Sequence, residues 1–133
     1  MREFKFKVWD NVEKKMTEVN ELHFNDDGTI CGANVWHLNG EDTYPVEFKD
    51  KEAILLQYTG IKDESGIEIY EGDIVEDEYG YKYKVVYKPE WASFALKFND
   101  NAGWNKTKYK HFVFDTDEYY APKELMVVKS FKK

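Results

Sequence analysis

Phe4, Phe6 and Val8 alternate with Glu3, Lys5 and Lys7, the period-2 pattern of a strand with one buried and one wet face. Further on, Leu22-His23-Phe24-Asn25-Asp26-Asp27-Gly28-Thr29-Ile30 places turn residues between apolar ends, and Asp27-Gly28 supplies the positive φ of a tight hairpin. Val35 to Leu38 reads as another strand, followed by the polar loop Asn39-Gly40-Glu41-Asp42. The apolar run from Ala53 to Tyr58 fits a strand or a single helical turn.

The second half repeats the alternation. Tyr81, Tyr83, Val85 and Tyr87 share one parity, with Lys82, Lys84, Val86 and Lys88 on the other, and Phe94, Leu96 and Phe98 continue the pattern. Breaker signals at Asp63-Glu64-Ser65-Gly66, Tyr79-Gly80, Pro89 and Asn99-Asp100-Asn101-Ala102-Gly103 space these runs as short antiparallel strands. Further strands are expected at Ile67–Val75, His111–Phe114 and Leu125–Ser130, and Asp115–Glu118 is suited to cap one helical turn through Ala121. No βαβ alternation occurs, so the expected class is all-β or β-dominated. A boundary near Thr59–Gly66 divides the chain into residues 1–60 and 61–133, with no Pro- or Ser-rich linker between them.

The aromatic share of 17%, with only eight Gly and three Pro among 133 residues, points to a folded chain. Cys31 is the single cysteine, which excludes an internal disulfide and fits a reducing cytoplasm. No stretch approaches a membrane span, and the start Met1-Arg2-Glu3-Phe4-Lys5 lacks the apolar core of a signal peptide. The net charge of −7 is unevenly spread. Residues 61–80 carry eight acids against Lys62, whereas residues 81–110 carry seven lysines against Glu90 and Asp100. The total disfavours a protein that coats nucleic acid wholesale but leaves room for a local basic face.

Twenty consecutive residues, Leu56-Gln57-Tyr58-Thr59-Gly60-Ile61-Lys62-Asp63-Glu64-Ser65-Gly66-Ile67-Glu68-Ile69-Tyr70-Glu71-Gly72-Asp73-Ile74-Val75, resemble the signature block of the YopX family of phage and prophage proteins. The opening Arg2-Glu3-Phe4-Lys5-Phe6-Lys7-Val8-Trp9-Asp10, with Lys14-Lys15-Met16, resembles the start of the same family. The family usually closes on a Gly-Asn-aromatic strand, where this chain reads Val127-Val128-Lys129-Ser130-Phe131. The resemblance implies an N-terminal β-rich part followed by a small SH3-like β-barrel that begins near Gly72–Val75. It implies no established activity, so no catalytic or binding residue is carried over. The signature positions Tyr58, Gly60, Asp63, Gly66, Tyr70, Gly72 and Asp73 read as architecture: Gly66 and Gly72 suit turns, Asp63 can accept a backbone N–H, and Tyr58, Ile69 and Ile74 offer core surface.

Candidate chemistry is sparse. Glu68, Glu71 and Asp73 admit an acid/base or divalent-cation site in principle, but a solvated acidic rim accounts for them without one. His23, Cys31 and His37 lack the short paired spacing of a zinc site, and Cys31 reads as a small apolar filler. No nucleophile–base motif and no phosphate loop is present, so neither catalytic residue, metal nor cofactor is expected. One constellation has a mechanism: Lys82, Lys84 and Lys88 on one strand face, followed by Trp91, Trp104, Lys106, Lys108, Tyr109 and Lys110, combine cations for phosphates with rings for bases. Two functions follow. The first is a non-enzymatic protein-interaction module that engages a phage or host protein, or a second copy. The alternative is nucleic-acid binding through the basic aromatic face; a membrane partner is not expected.

Overall fold

The computed structural model describes residues 3–99, 107–111 and 125–129. They divide into two compact units, one running to Tyr58 and the other starting at Thr59.

The first unit is an antiparallel sheet of β1 (Phe6–Asp10), β2 (Lys15–Phe24), β3 (Ile30–Trp36), β4 (Thr43–Glu47) and the first half of β5 (Ala53–Lys62), in the order β4-β3-β2-β1-β5. A short 3₁₀ turn, Lys49–Lys51, precedes β5. Val8, Ala33, Val35 and Ala53 form the buried centre, covered by Val19, Leu22, Tyr44, Val46, Phe48 and Leu55. Alternation delivers this face, as far as the chain stays extended; Val8 is fully buried, whereas Phe4 lies outside β1 and is exposed. The β2–β3 hairpin turns where Asn25–Gly28 places it, with Asn25 N–H bonding Thr29 O and Gly28 N–H bonding Asn25 O. Leu38, expected in a strand, is 80% exposed in the turn after Trp36. Gly32 has a steric reason: a Cβ there would stand 2.6 Å from the Val46 carbonyl oxygen of the neighbouring strand.

In the second unit the other half of β5 lies beside β6 (Glu68–Tyr70). A five-stranded antiparallel sheet follows from β7 (Ile74–Glu76), β8 (Lys82–Lys88), β9 (Ser93–Asn99), β10 (Thr107–His111) and β11 (Met126–Lys129), in the order β10-β9-β8-β7-β11. Among the described residues this sheet is not closed into a barrel. A 3₁₀ turn, Pro89–Trp91, joins β8 to β9. Its core is Ile69, Val75, Tyr83, Val85, Leu96 and Leu125, with Ile61, Phe94, Phe98 and Val127 packed against it.

The protein is β-dominated, as the alternation requires, and Ala53–Tyr58 resolves to strand rather than helix. The run Ile67–Val75 is two strands rather than one, because Gly72 (φ +87°) turns the chain between them and Asp73 N–H bonds Tyr70 O. Tyr81 and Tyr87 share the parity of buried Tyr83 and Val85 but sit at or beyond the ends of β8, where they are exposed. The expected helical turn at Asp115–Ala121 lies outside the described residues. No helix among the described residues is long and apolar enough to cross a membrane.

Candidate functional site

Residues in the signature block direct their polar atoms inward. Asp63 Oδ1 accepts the N–H groups of Ser65 (2.8 Å) and Ile67 (2.9 Å), and Oδ2 accepts that of Val127 in β11 (3.0 Å). Burial pushes its carboxyl upward, but the N–H bonds from Val127, Ile67 and Ser65 outweigh burial and hold it below the usual carboxylate value. Asp73 Oδ2 accepts Tyr70 N–H at 2.9 Å, and both residues are buried. Thr59 Oγ1 donates to Ile69 O (2.8 Å) and accepts Ile61 N–H (3.2 Å) around Gly60, whose φ is +88°. Gly66 (φ +86°) closes the Asp63 turn, and Tyr58 and Ile69 are core.

The lysines of the second sheet are disposed differently. With Val75, Tyr83, Val85 and Leu96 turned inward, Ile74, Lys84, Lys97 and Tyr109 form one row on the opposite face, each the direct register partner of the next across β7, β8, β9 and β10. Neighbouring strands lie about 4.8 Å apart, so Lys84 and Lys97 are adjacent like charges in the two strands. Among the described residues neither forms an ion pair. Lys82 continues the face one step along β8, opposite Glu76.

Lys88, at the far end of β8, has a half-buried side chain. Its ammonium lies 4.0 Å from the ring centre of Tyr109 and 5.2 Å from that of Trp91, and 3.6 Å from a Glu90 carboxylate oxygen. The two rings meet edge to face at 6.4 Å and 76°. The fold thus gathers Lys82, Lys84, Lys88 and Trp91 with Lys97 and Tyr109. Lys110 falls on the other face: it is the register partner of buried Leu96, and its ammonium stands 5.4 Å from the Tyr83 ring, 5.2 Å from the Phe98 ring and 3.4 Å from the Tyr83 hydroxyl. Lys108 occupies the β10 position opposite Phe98, while Trp104 and Lys106 lie outside the described residues.

The remaining candidates are not brought together. Among the described residues no group of three or more His, Cys, Asp or Glu side chains is arranged to hold a metal. Cys31, read as a small filler, is exposed on β3, its thiol 3.5 Å from His23 O. The first unit has an open cleft of about 390 Å³ lined by Asp10, Glu13, Tyr44, Glu47 and Glu52 among others. Its most buried acid, Asp10, is already engaged, accepting the N–H groups of Val12 and Glu13 and the Tyr44 hydroxyl at 2.8 Å.

Two antiparallel sheets and almost no helix among the described residues define a small β-dominated protein. The profile of the family described as YopX protein matches residues 5–128, and the chain belongs to the YopX family. Among solved structures, the crystal structure of protein EF1440 from Enterococcus faecalis is similar over 98% of this chain and 94% of its own, at 17% identity and a TM-score of 0.49. Comparison with curated proteins gives no match.

Proposed function

We propose that this protein is a non-enzymatic interaction module that binds nucleic acid through the lysine and aromatic face of its second sheet. The observation that carries the reading is the Lys84–Lys97 pair. Like charges directly opposite one another in a sheet oppose its formation. Edge protection, the ordinary reason for strand lysines, does not apply, because β8 and β9 are both interior strands of the sheet. A polyanion relieves the repulsion and releases counterions as it docks. The acidic total leaves room for this: residues 81–110 carry seven lysines against Glu90 and Asp100, and Glu76 meets Lys82 at one end of the face.

The strand order also supports an SH3-like barrel in our reading of this unit: β7 to β10 run as a meander, and β11 returns beside β7. We place the protein in a reducing cytoplasm in a phage context, where such a module would meet DNA or RNA. The test is binding to labelled DNA and RNA over a salt series. Three to four phosphate contacts give a log–log salt slope of about −2 to −3 on a single strand. Salt-independent binding, or none at low salt, overturns the reading.

A specific observation favours a second reading, a protein partner. Tyr79 and Tyr81 are 77% and 66% exposed at the β7–β8 turn, beside Asp77 and Glu78. Exposed tyrosines are frequent interface anchors, and the flanking acids suit a basic phage or host protein. Recovery of a partner from lysogenic cell extract that is lost on Tyr79→Ala and Tyr81→Ala supports it; recovery of the bait alone counts against it.

A further inference from the structure

We infer that the lysine and aromatic face selects single strands over duplexes, with Tyr109 as the platform for an unstacked base. The inference rests on the nucleic-acid reading above and names its ligand class. Tyr109 closes the row Ile74–Lys84–Lys97–Tyr109, so an aromatic ring stands immediately beyond two adjacent cations. Tyr109 is 38% exposed, so part of it is accessible to a ligand. Two contacts restrain it: a T-shaped arrangement with the Trp91 ring at 6.4 Å and the Lys88 ammonium 4.0 Å from its ring centre. Lys88 is in turn tied to Glu90 at 3.6 Å. These restraints remove conformational freedom before any ligand arrives, which lowers the entropic cost of stacking.

Duplex DNA offers phosphates to Lys84 and Lys97 but keeps its base faces stacked inside. A single strand offers both, phosphates to the lysine pair and a base to the ring. Arginine or lysine without a ring would read the two alike. The geometry therefore assigns two separable contributions: a cationic one common to all polyanions, and an aromatic one available only to strands with exposed bases.

The experiment measures binding of the full chain to three labelled probes of equal length: oligothymidine, the same strand with abasic sites throughout, and a duplex. Stacking predicts that oligothymidine binds at least about tenfold more tightly than the abasic strand, at the same salt slope. Tyr109→Ala removes most of the preference for oligothymidine over the abasic strand, and Tyr109→Phe retains it. Equal binding of all three probes by the unmodified protein overturns the inference while leaving the nucleic-acid reading intact. Failure of every probe to bind overturns both. The comparison of oligothymidine with abasic strand and duplex needs no variant, and weaker binding of both than of oligothymidine is the expected result even if Tyr109→Ala does not fold.

Discussion

The Asp63–Gly66 turn and the Lys84–Lys97 pair lie in the same unit, and they use charge in opposite ways. In the turn, a buried carboxylate satisfies three backbone N–H groups, one of them 64 residues away along the chain. On the sheet, two cations face each other without an acid to pair with among the described residues. The first arrangement stabilises the fold. The second opposes it, since like charges directly across a sheet repel. The proposed binding face lies beyond the Asp63–Gly66 turn in the sequence, on β8 to β10.

The largest expected effect tests the turn. Asp63→Ala removes the acceptor of three part-buried N–H donors, one of them the tie to β11, at a cost of about 3 kcal/mol in urea denaturation. Asp77 begins a turn of the same local form, with Tyr79 and Tyr81 N–H groups on Oδ1 at 2.9 and 3.0 Å, but among the described residues its other oxygen accepts the Tyr83 hydroxyl rather than a distant backbone N–H. Asp77→Ala is expected to cost about 1 kcal/mol. Equal losses for the two variants would remove the distinction between a local and a long-range turn.

Glycine substitutions sharpen the same contrast. Gly66 and Gly80 both have φ of +86° with room for a Cβ, so Gly66→Ala and Gly80→Ala each cost about 1–2 kcal/mol from backbone conformation alone. A much larger loss at Gly66 would place the difference between the turns in the backbone rather than in the aspartate.

Acid sensitivity follows from the carboxylates. Asp63 and Asp10 are both held below their ordinary value in the folded chain; for Asp10, burial opposes the shift, and the Glu13 N–H, Tyr44 hydroxyl and Val12 N–H produce it. Their stabilisation is complete above the unfolded value of about 3.9 and is lost as pH falls through the lower folded values. Asp63→Asn therefore flattens the fall of the urea midpoint with pH in the acid range. An unchanged profile would contradict the assignment.

The smallest expected change has the most telling sign. Lys84→Glu converts a repulsive cross-strand pair into an attractive one and raises stability by about 0.5 kcal/mol while weakening nucleic-acid binding. A loss of stability would mean that Lys84 is part of the fold.

Much of this was legible along the chain, because turns are written locally. Asp27-Gly28, Asp63-Glu64-Ser65-Gly66 and Tyr79-Gly80 each end a turn signal in glycine, and each lies in a turn of the structure. The alternation in β8 and β9 gave their core faces for the same reason. Register between strands was not legible. Parity shows that Lys97 points away from Leu96, but only the pairing of β8 with β9 and of β9 with β10 places it between Lys84 and Tyr109. Lys110 illustrates the same gap, since its neighbours in sequence are basic and aromatic while its neighbours in space are the core rings Tyr83 and Phe98. The reach of Asp63 to Val127 is likewise a tertiary fact with no local signal.

The most direct test of the account is a fluorescence-anisotropy titration of labelled oligothymidine against the unmodified chain and Lys84→Glu, repeated as salt is raised. The account predicts binding that weakens steadily with salt and falls sharply in a variant that is as stable as its parent or slightly more so. Binding that is absent at low salt, indifferent to salt or unchanged by Lys84→Glu would contradict it.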